Sequence, residues 1–594
     1  MKRKILITPL VCLICTQFVF SQVKYEFTTI LKEKFTDKSG SILTGKGVVV
    51  GDVDSGIDVF HPMFFFADGG EFTWVDVDND EKLTFGTDGV DLNGDGKISA
   101  NEILRYIEIR DNTYGMLGGN SKTYNPDLDF LYTDVNNNKR RDYGIKSGFK
   151  ESDASYGEQL LILRDENKNG RADVGEKLSA LKTSKVRAVR ERNGNVRRRG
   201  TDLIETEEDS SGHGTGVAGL ILGGHYGVQK NHGIAPDAEI IISSVDYDYT
   251  PRFVRDFPEI ITFLREEKIN ILLFEDGEWM WEFMDGSSPE EQLTNQMARD
   301  GITIIGGAGN FTGAKMMIID TLEAGETVLL EADAPSTSEQ KKNDGVFYSI
   351  LWRENSNLSF TVESPDKNKT TELSSGSGIE KSGAYNISYA KTSSNETNMF
   401  RLGCSKNDSG TVKGRWKINV KADKRTIIWA YVVDVSQSWG GTSHWVSGNI
   451  SDESTMCFPS TADSCMAIGA YVVNFGWFDK IGDICSYSSK GYRIKGGLAV
   501  TLTAPGHSTF SCEKDNGWQI FSGTSSAAPH VVGTAALLLQ YDNTLTHADI
   551  RQILINSASS DNFTGTLPNP TWGYGKLDKE AAVKFLMNNF KKNN

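Results

Sequence analysis

Runs of apolar residues along the chain predict strands and helices, and four of these elements begin or end at a polar residue. "GVVVGDVDSGIDVFHP" (47–62) predicts a buried strand with Asp54 at its end. "DSSGHGTGVAGLILGG" (209–224) predicts a tightly packed helix that His213 opens. "GITIIGGAGN" (301–310) predicts a strand that leads through a glycine-rich turn to Asn310. "FSGTSSAAPHVVGTAALLLQ" (521–540) predicts a turn that places Ser525 where a long apolar helix begins. Taken alone, such an aspartate can simply start a turn and such a histidine can be structural.

A second pattern, in which apolar and polar residues alternate, lies between residues 313 and 450. "LSFTVES" (358–364) and "GRWKINVK" (414–421) alternate as half-buried strands do. "ETVLLEAD", "VFYSILW" and "TIIWAYVVDV" add further strands, separated by turns rich in Ser, Asn, Gly and Lys. We expect a β-sandwich of jelly-roll type over 313–450.

Composition and charge narrow the class of protein. With 594 residues the chain has room for three or four domains. A net charge of −16 without a basic stripe argues against a nucleic-acid partner. The start, "MKRKILITPLVCLICTQFVFSQ", has a basic head, a short apolar run and Ser21, which predicts a signal peptide over 1–21. We therefore expect export to the periplasm or the medium, with no transmembrane anchor in the mature chain.

Considered together, the four polar elements resemble the subtilisin-like serine proteases, the subtilases. The matching motifs are "DSG" (54–56), "HGTGVAG" (213–219), "GAGN" (307–310) and "GTSSAAP" (523–529), in the family's order. The resemblance implies an α/β fold with a doubly wound, mostly parallel sheet, and a serine endopeptidase that acts on proteins or peptides. It implies Ser525 as nucleophile, His213 as base, Asp54 as its orienting partner and Asn310 as donor to the oxyanion.

The 159 positions between Asp54 and His213 contain repeated loops of calcium-binding type. "DLNGDGKISANE" (91–102) and "DENKNGRADVGE" (165–176) carry oxygen ligands at alternate places, a glycine at the turn and a closing glutamate. The copy at 76 has Thr87 where the closing acid belongs, and the copy at 134 lacks both glycine and glutamate, so we interpret the latter as a solvated turn. The predicted Ca²⁺ ligands are Asp76, Asp78, Asp80, Asp91, Asn93, Asp95, Lys97, Ser99, Glu102, Asp165, Asn167, Asn169, Arg171, Asp173 and Glu176.

Calcium sensors flank their loops with pairs of helices. "EILRYIEIR" (102–110) is a candidate for one such helix, but no full flanking set is present. We therefore predict a structural role for calcium, in an insertion at about 68–205. The predicted division is a signal peptide (1–21), a catalytic domain in two parts (22–312 and 451–594) and the inserted sandwich (313–450). A sandwich at this place makes the clostridial germination proteases the nearest likeness within the family.

Two alternatives to the endopeptidase stay open at this stage. One is an exopeptidase of the same family, and the other is a calcium-dependent binding protein whose triad is idle. Specificity is a further question, because subtilases line one wall of the primary specificity pocket with a segment that follows a strand. Here "INILLF" (269–274) leads into Glu275 and Asp276, which would favour Lys or Arg in the substrate unless both acids point to solvent.

Overall fold

A computed structural model describes residues 25–117, 122–206, 209, 211–245, 252–275, 282–338, 341–353, 355–436, 442–456, 458–476 and 478–591. The predicted signal peptide lies outside these ranges. The strands, numbered in chain order, are β1 (Val49–Asp54), β2 (Glu71–Val75), β3 (Gly89–Val90), β4 (Leu104–Ile107), β5 (Arg110–Asn112), β6 (Phe130–Thr133), β7 (Leu160–Arg164), β8 (Lys177–Leu181), β9 (Val186–Arg190), β10 (Val196–Arg198), β11 (Glu239–Ser244), β12 (Ile271–Phe274), β13 (Thr303–Gly307), β14 (Met317–Leu322), β15 (Thr327–Ala334), β16 (Thr337–Ser338), β17 (Lys341–Lys342), β18 (Gly345–Trp352), β19 (Leu358–Glu363), β20 (Ser377–Ser382), β21 (Tyr385–Ser394), β22 (Thr397–Lys406), β23 (Gly414–Ala422), β24 (Thr426–Asp434), β25 (His444–Trp445), β26 (Met466–Val472), β27 (Leu502–His507), β28 (Thr509–Glu513) and β29 (Gly517–Phe521).

The α-helices of the described residues are α1 (His213–Leu222), α2 (Arg252–Glu266), α3 (Pro289–Arg299), α4 (Thr524–Tyr541), α5 (His547–Ser557) and α6 (Lys579–Asn588). Short 3-10 helices lie at Pro62–Phe64, Ile145–Ser147, Ala154–Tyr156 and Leu203–Glu205.

A mostly parallel sheet forms the centre of the molecule, in the order β10-β9-β11-β1-β12-β13-β26-β27. Only β10 runs antiparallel to its neighbour within this sheet. Val50 packs into the core that includes α1 and α4, whereas Val49 and Val53 pack with α2 on the opposite face. Helices therefore cover both faces, as the predicted doubly wound arrangement requires.

The segment between Asp54 and His213 contains a six-stranded sheet, ordered β3-β2-β8-β7-β6-β4, with its own small core around Trp74 and Leu163. The helix suggested by "EILRYIEIR" is wrong, because residues 104–107 and 110–112 are strands. Leu104 pairs with Thr133 in an antiparallel ladder, and the buried Leu104 satisfies a strand as well as it would a helix.

Two further sheets lie between Asn310 and Ser525. One has the order β14-β24-β18-β22-β21-β20 and the other β19-β23-β15-β25, and all the strands predicted in this region are present. The sheets share one core that contains Trp352, Trp416 and Trp445. Phe283 and Met284, which precede α3, belong to the same core, so this unit packs directly onto the catalytic part of the chain.

Candidate active site

Asp54 and His213 meet where β1 ends and α1 begins. The Asp54 carboxylate is fully buried, and the His213 Nδ1 atom lies 2.9 and 3.0 Å from its two oxygens. The Ser55 backbone N–H donates to Asp54 Oδ1 at 2.5 Å. This arrangement fixes the imidazole by Nδ1, which is the ring orientation that a catalytic histidine needs.

A close backbone approach makes this contact possible. A Cβ atom at position 214 would lie 2.0 Å from the Gly56 carbonyl oxygen and 3.2 Å from Asp54 Cγ. Any side chain at Gly214 would therefore push α1 away from the end of β1.

Asp209 supports the start of α1 from outside, and the sequence analysis did not single it out. Its carboxylate accepts hydrogen bonds from the Gly212 N–H at 2.7 Å and the Ser55 hydroxyl at 3.0 Å, and also from the Thr215 hydroxyl. Ser55 in turn accepts from the Gly214 N–H at 3.1 Å. The position of Asp209 four residues before His213 was visible in the sequence, but this network was not.

Ser525 and Asn310 lie at neighbouring chain turns. Ser525 is the second residue of α4, where free amide groups and the helix dipole favour a developing negative charge. Asn310 follows β13, and its Oδ1 accepts from the Thr524 N–H at 2.9 Å and the Thr524 hydroxyl at 3.2 Å. Because Oδ1 is held in this way, the Asn310 amide N–H₂ remains as a donor beside Gly523 and Ser525.

The electrostatics of the site favour a protonated base. Burial alone would lower the pKa of His213, but the charge and hydrogen bond of Asp54 outweigh it. With smaller contributions from Glu275 and Asp209, the pKa of His213 rises to about 9. Glu275 follows β12 next to Asp54 of β1, and its Oε1 atom is buried, so for this acid the alternative of a solvent-facing side chain is wrong. Asp276 lies outside the described residues.

The calcium-type loops share one hydrogen-bond framework, which is clearest at 91–102. Asp91 accepts from the N–H groups of Asp95 and Gly96, and Glu102 accepts from those of Leu92 and Ser99. The loop at 165–176 repeats these bonds at the equivalent positions. In both loops the fourth and sixth positions have positive φ.

The other two loops have the same framework, closed by carboxylates that the sequence analysis missed. At 76, Asp88 accepts from the N–H groups of Val77 and Thr84, one position later than the expected closing residue. At 134, Glu158 accepts from those of Val135 and Asp142. The 134 segment, interpreted as a solvated turn, thus has the same hydrogen-bond geometry as the other loops.

The loops differ in whether a cationic side chain contacts their carboxylates. Oxygens of Asp76, Asp78 and Asp80 lie within 4.8 Å of one another, as a shared cation would require. At 134, by contrast, the Arg105 guanidinium pairs with Asp134 and Arg140 lies 3.5 Å from Asp142.

Comparison with known proteins places these observations in a family. The Subtilase family profile matches residues 45–254 and 384–575, which together are more than half of the chain. The chain is 31% identical over 140 residues to Subtilisin DY of Bacillus licheniformis, covering 23% of this chain and 44% of that protein. It is 28% identical over 210 residues to the Thermophilic serine proteinase of Bacillus sp. (strain AK1), covering 35% and 43%. The match thus spans less than half the length of these relatives.

A solved structure, that of the CspB protease of Clostridium perfringens, superposes with a TM-score of 0.61 at 17% sequence identity. The superposition covers 92% of this chain and 94% of that one, so the two share their fold. The profile match over most of the catalytic part, together with the Asp54–His213 contact and the placement of Ser525, leads to one conclusion: the chain belongs to the subtilase family.

Proposed function

We propose that this protein is an exported serine endopeptidase that hydrolyses peptide bonds through Asp54, His213, Ser525 and Asn310. The observation that carries the proposal is the buried Asp54 carboxylate, which holds His213 Nδ1 through both of its oxygens at 2.9 and 3.0 Å. A histidine held in this way is suited to accept a proton on Nε2 and to remain in place as an imidazolium.

In the proposed mechanism the Ser525 hydroxyl attacks the scissile carbonyl carbon while His213 Nε2 takes its proton. The carbonyl oxygen becomes an oxyanion, which the Asn310 amide and the Ser525 backbone N–H stabilise. His213 then gives its proton to the leaving amine, which releases the first product and leaves an acyl group on Ser525. A water molecule, deprotonated by His213, hydrolyses that ester and restores the site.

Labelling with a serine-directed fluorophosphonate tests this function directly. Wild-type protein should be labelled and should hydrolyse peptides, whereas Ser525→Ala should do neither and should unfold at the wild-type temperature. Labelling that persists in Ser525→Ala would refute the assignment of the nucleophile.

Two alternatives differ in their products. An exopeptidase would release only short peptides from one end of a protein substrate, whereas an endopeptidase yields internal fragments that mass spectrometry identifies. A calcium-dependent binding protein with an idle triad would neither react with the fluorophosphonate nor release peptides. The proposed export agrees with the name of one relative, the Extracellular basic protease of Dichelobacter nodosus. Among the helices of the described residues, none combines the length and the apolar content that a bilayer crossing requires.

We further propose that calcium binds three of the four loops and acts as a structural staple. Carboxylate, amide and carbonyl oxygens are the ligands that Ca²⁺ prefers, and the loops at 76, 91 and 165 carry them at alternate positions. Each of these loops starts at an aspartate that directly follows a strand: Asp76 follows β2, Asp91 follows β3 and Asp165 follows β7. Bound calcium would therefore hold strand connections together, without the paired helices of a sensor.

The fourth loop, at 134, is the natural comparison, because two arginines already pair with two of its carboxylates, those of Asp134 and Asp142. We expect about three calcium ions per chain by elemental analysis after dialysis. A content below one ion per chain would refute the staple, and four would refute the exclusion of the 134 loop.

We also propose that residues 313–450 form an inserted sandwich of jelly-roll type between the two parts of the catalytic domain. The shared core of the two sheets supports this unit. Its contact with the catalytic part is polar as well as apolar, because Asp285 accepts from Thr397 at 2.5 Å and pairs with Arg353 at 3.3 Å. These bonds suggest that the sandwich holds the segment before α3 in place.

A further inference from the structure

A further carboxylic acid lies at the catalytic face of the central sheet, and the mechanism above does not use it. Phe274 of β12 pairs with Val53 of β1, and the Glu275 N–H donates to the Val53 carbonyl at 3.2 Å. The next position in register therefore sets Glu275 alongside Asp54. Paired residues of parallel strands direct their side chains to the same face, so the Glu275 carboxyl points toward α1 and α4.

The Glu275 carboxyl interacts electrostatically with both His213 and Asp54. Its Oε1 atom is buried and has no hydrogen-bond partner among the described residues. Burial raises the pKa of Glu275 to about 8, against a smaller opposing effect of His213. Glu275 therefore changes its charge in the same pH range as the catalytic base.

We infer that Glu275 is a positioning residue for the catalytic base: its ionised carboxylate, alongside Asp54, retains the proton on His213 and so sets the pH at which His213 becomes available. The inference rests on the proposed function, because only a working triad translates the charge of His213 into a rate. A negative charge near an imidazole favours the imidazolium, which cannot accept the serine proton. Protonated Glu275 carries no charge and has no such effect.

Other acids interact with His213 or with Glu275, and one of them provides a matched control. Asp54 and Asp52 project from β1, and Asp209 lies before α1. Asp52 is fully buried on the same face as Asp54, and neither of its carboxyl oxygens has a hydrogen-bond partner within the described part of the chain. Burial raises the pKa of Asp52 well above its usual value, which favours its neutral form.

The test compares pH profiles of kcat/KM from pH 6 to 11 for the wild type, Glu275→Gln and Asp52→Asn. In Glu275→Gln we expect the midpoint of the acid limb to fall by about one pH unit. The gain in kcat/KM of Glu275→Gln over the wild type should be largest between the midpoints of their two profiles. It should vanish at low pH, where wild-type Glu275 is protonated. Asp52→Asn should follow the wild-type profile. Superimposable profiles of Glu275→Gln and wild type, or an equal shift in Asp52→Asn, would overturn the inference.

A second readout does not depend on turnover. In Ser525→Ala protein labelled at histidine, NMR follows the His213 ring, which is assigned by the signal lost in His213→Asn. Adding Glu275→Gln should lower the pKa of His213 by the same amount as the kinetic shift. If Glu275→Gln shifts the titration of His213 but the wild-type protein hydrolyses no peptide at any pH, the proposed function is refuted and the coupling between Glu275 and His213 stands. An unshifted titration in an active enzyme would overturn the inference.

Discussion

The contact between α1 and the end of β1 has no room for a side chain at Gly214, which makes Gly214→Ala a quantitative probe of the site. The added Cβ would lie 2.0 Å from the Gly56 carbonyl oxygen, a backbone atom that cannot rotate away. Either the start of α1 or the Gly56 peptide must therefore move by about 1 Å before the contact becomes tolerable.

This displacement acts directly on the catalytic pair, because His213 precedes Gly214 and is held by Asp54 at 2.9 Å. A misplacement of about 1 Å in a catalytic group costs about 100-fold in rate. Overpacking costs about 1–3 kcal/mol of stability. The preference of a helix for Ala over Gly returns about 1 kcal/mol of this. We therefore expect kcat/KM to fall about 100-fold while the free energy of unfolding changes by about 2 kcal/mol or less.

Peptide hydrolysis and urea unfolding measure the two quantities on the same preparation. Gly216→Ala is the matched control on the same helix, since its Cβ would meet side-chain atoms of Phe521 at 2.9 Å and Gln519 at 3.0 Å instead of a backbone atom. It should gain the same helix preference and lose less activity. If Gly214→Ala keeps wild-type kcat/KM, or loses no more than Gly216→Ala, the reasoning from the close approach is refuted.

Three further predictions follow from the site and the loops. Asn310→Ala should cost about 3 kcal/mol of transition-state stabilisation, the magnitude known for the corresponding donor of subtilisin, and an effect on KM alone would contradict its role. Chelation of calcium should lower the melting temperature, and Glu102→Gln should reproduce part of that loss with calcium present. Glu158→Gln, by contrast, should not change the calcium content. Equal melting curves with and without chelator would contradict the structural role of calcium. Because the pKa of His213 is raised to about 9, kcat/KM should rise through alkaline pH. The stability that comes from the pairing of His213 with Asp54 is fully present below about pH 6.5 and should decline as the pH rises toward 9. A midpoint of the kcat/KM profile near pH 6.5 would contradict the strong pairing.

The placement of the proposed catalytic residues could be predicted because each lies at the end of an element that has a clear local pattern. Asp54 ends a β-branched run, and Ser525 opens a long apolar helix, so the element and its polar terminus lie within a few positions of each other. The alternating strands of the sandwich were predictable for the same reason, since one face of each is buried.

The closing carboxylates of two calcium-type loops could not be predicted in this way. Glu158 lies 24 positions after Asp134, and it reaches the loop because Gly157 forms a β-bridge with Tyr143. Asp88 closes its loop one position late, which a fixed spacing rule excludes. The role of Glu275 likewise depends on the pairing of β12 with β1, which the order of the strands along the chain does not give.

Another long-range strand pairing explains how an insertion more than a hundred residues from the nucleophile can influence it. Strand β5, which follows the loop at 91–102, pairs in parallel with β29, and β29 leads directly into the turn before Ser525. Arg110 pairs with Glu513 at 3.2 Å and its N–H donates to the Asn516 carbonyl, so the connection includes side chains as well as backbone. Calcium that fastens the insertion would therefore also steady the β28–β29 hairpin. Loss of calcium should consequently reduce the reaction of Ser525 with a fluorophosphonate at temperatures well below the melting point, because the hairpin loosens before the central sheet unfolds.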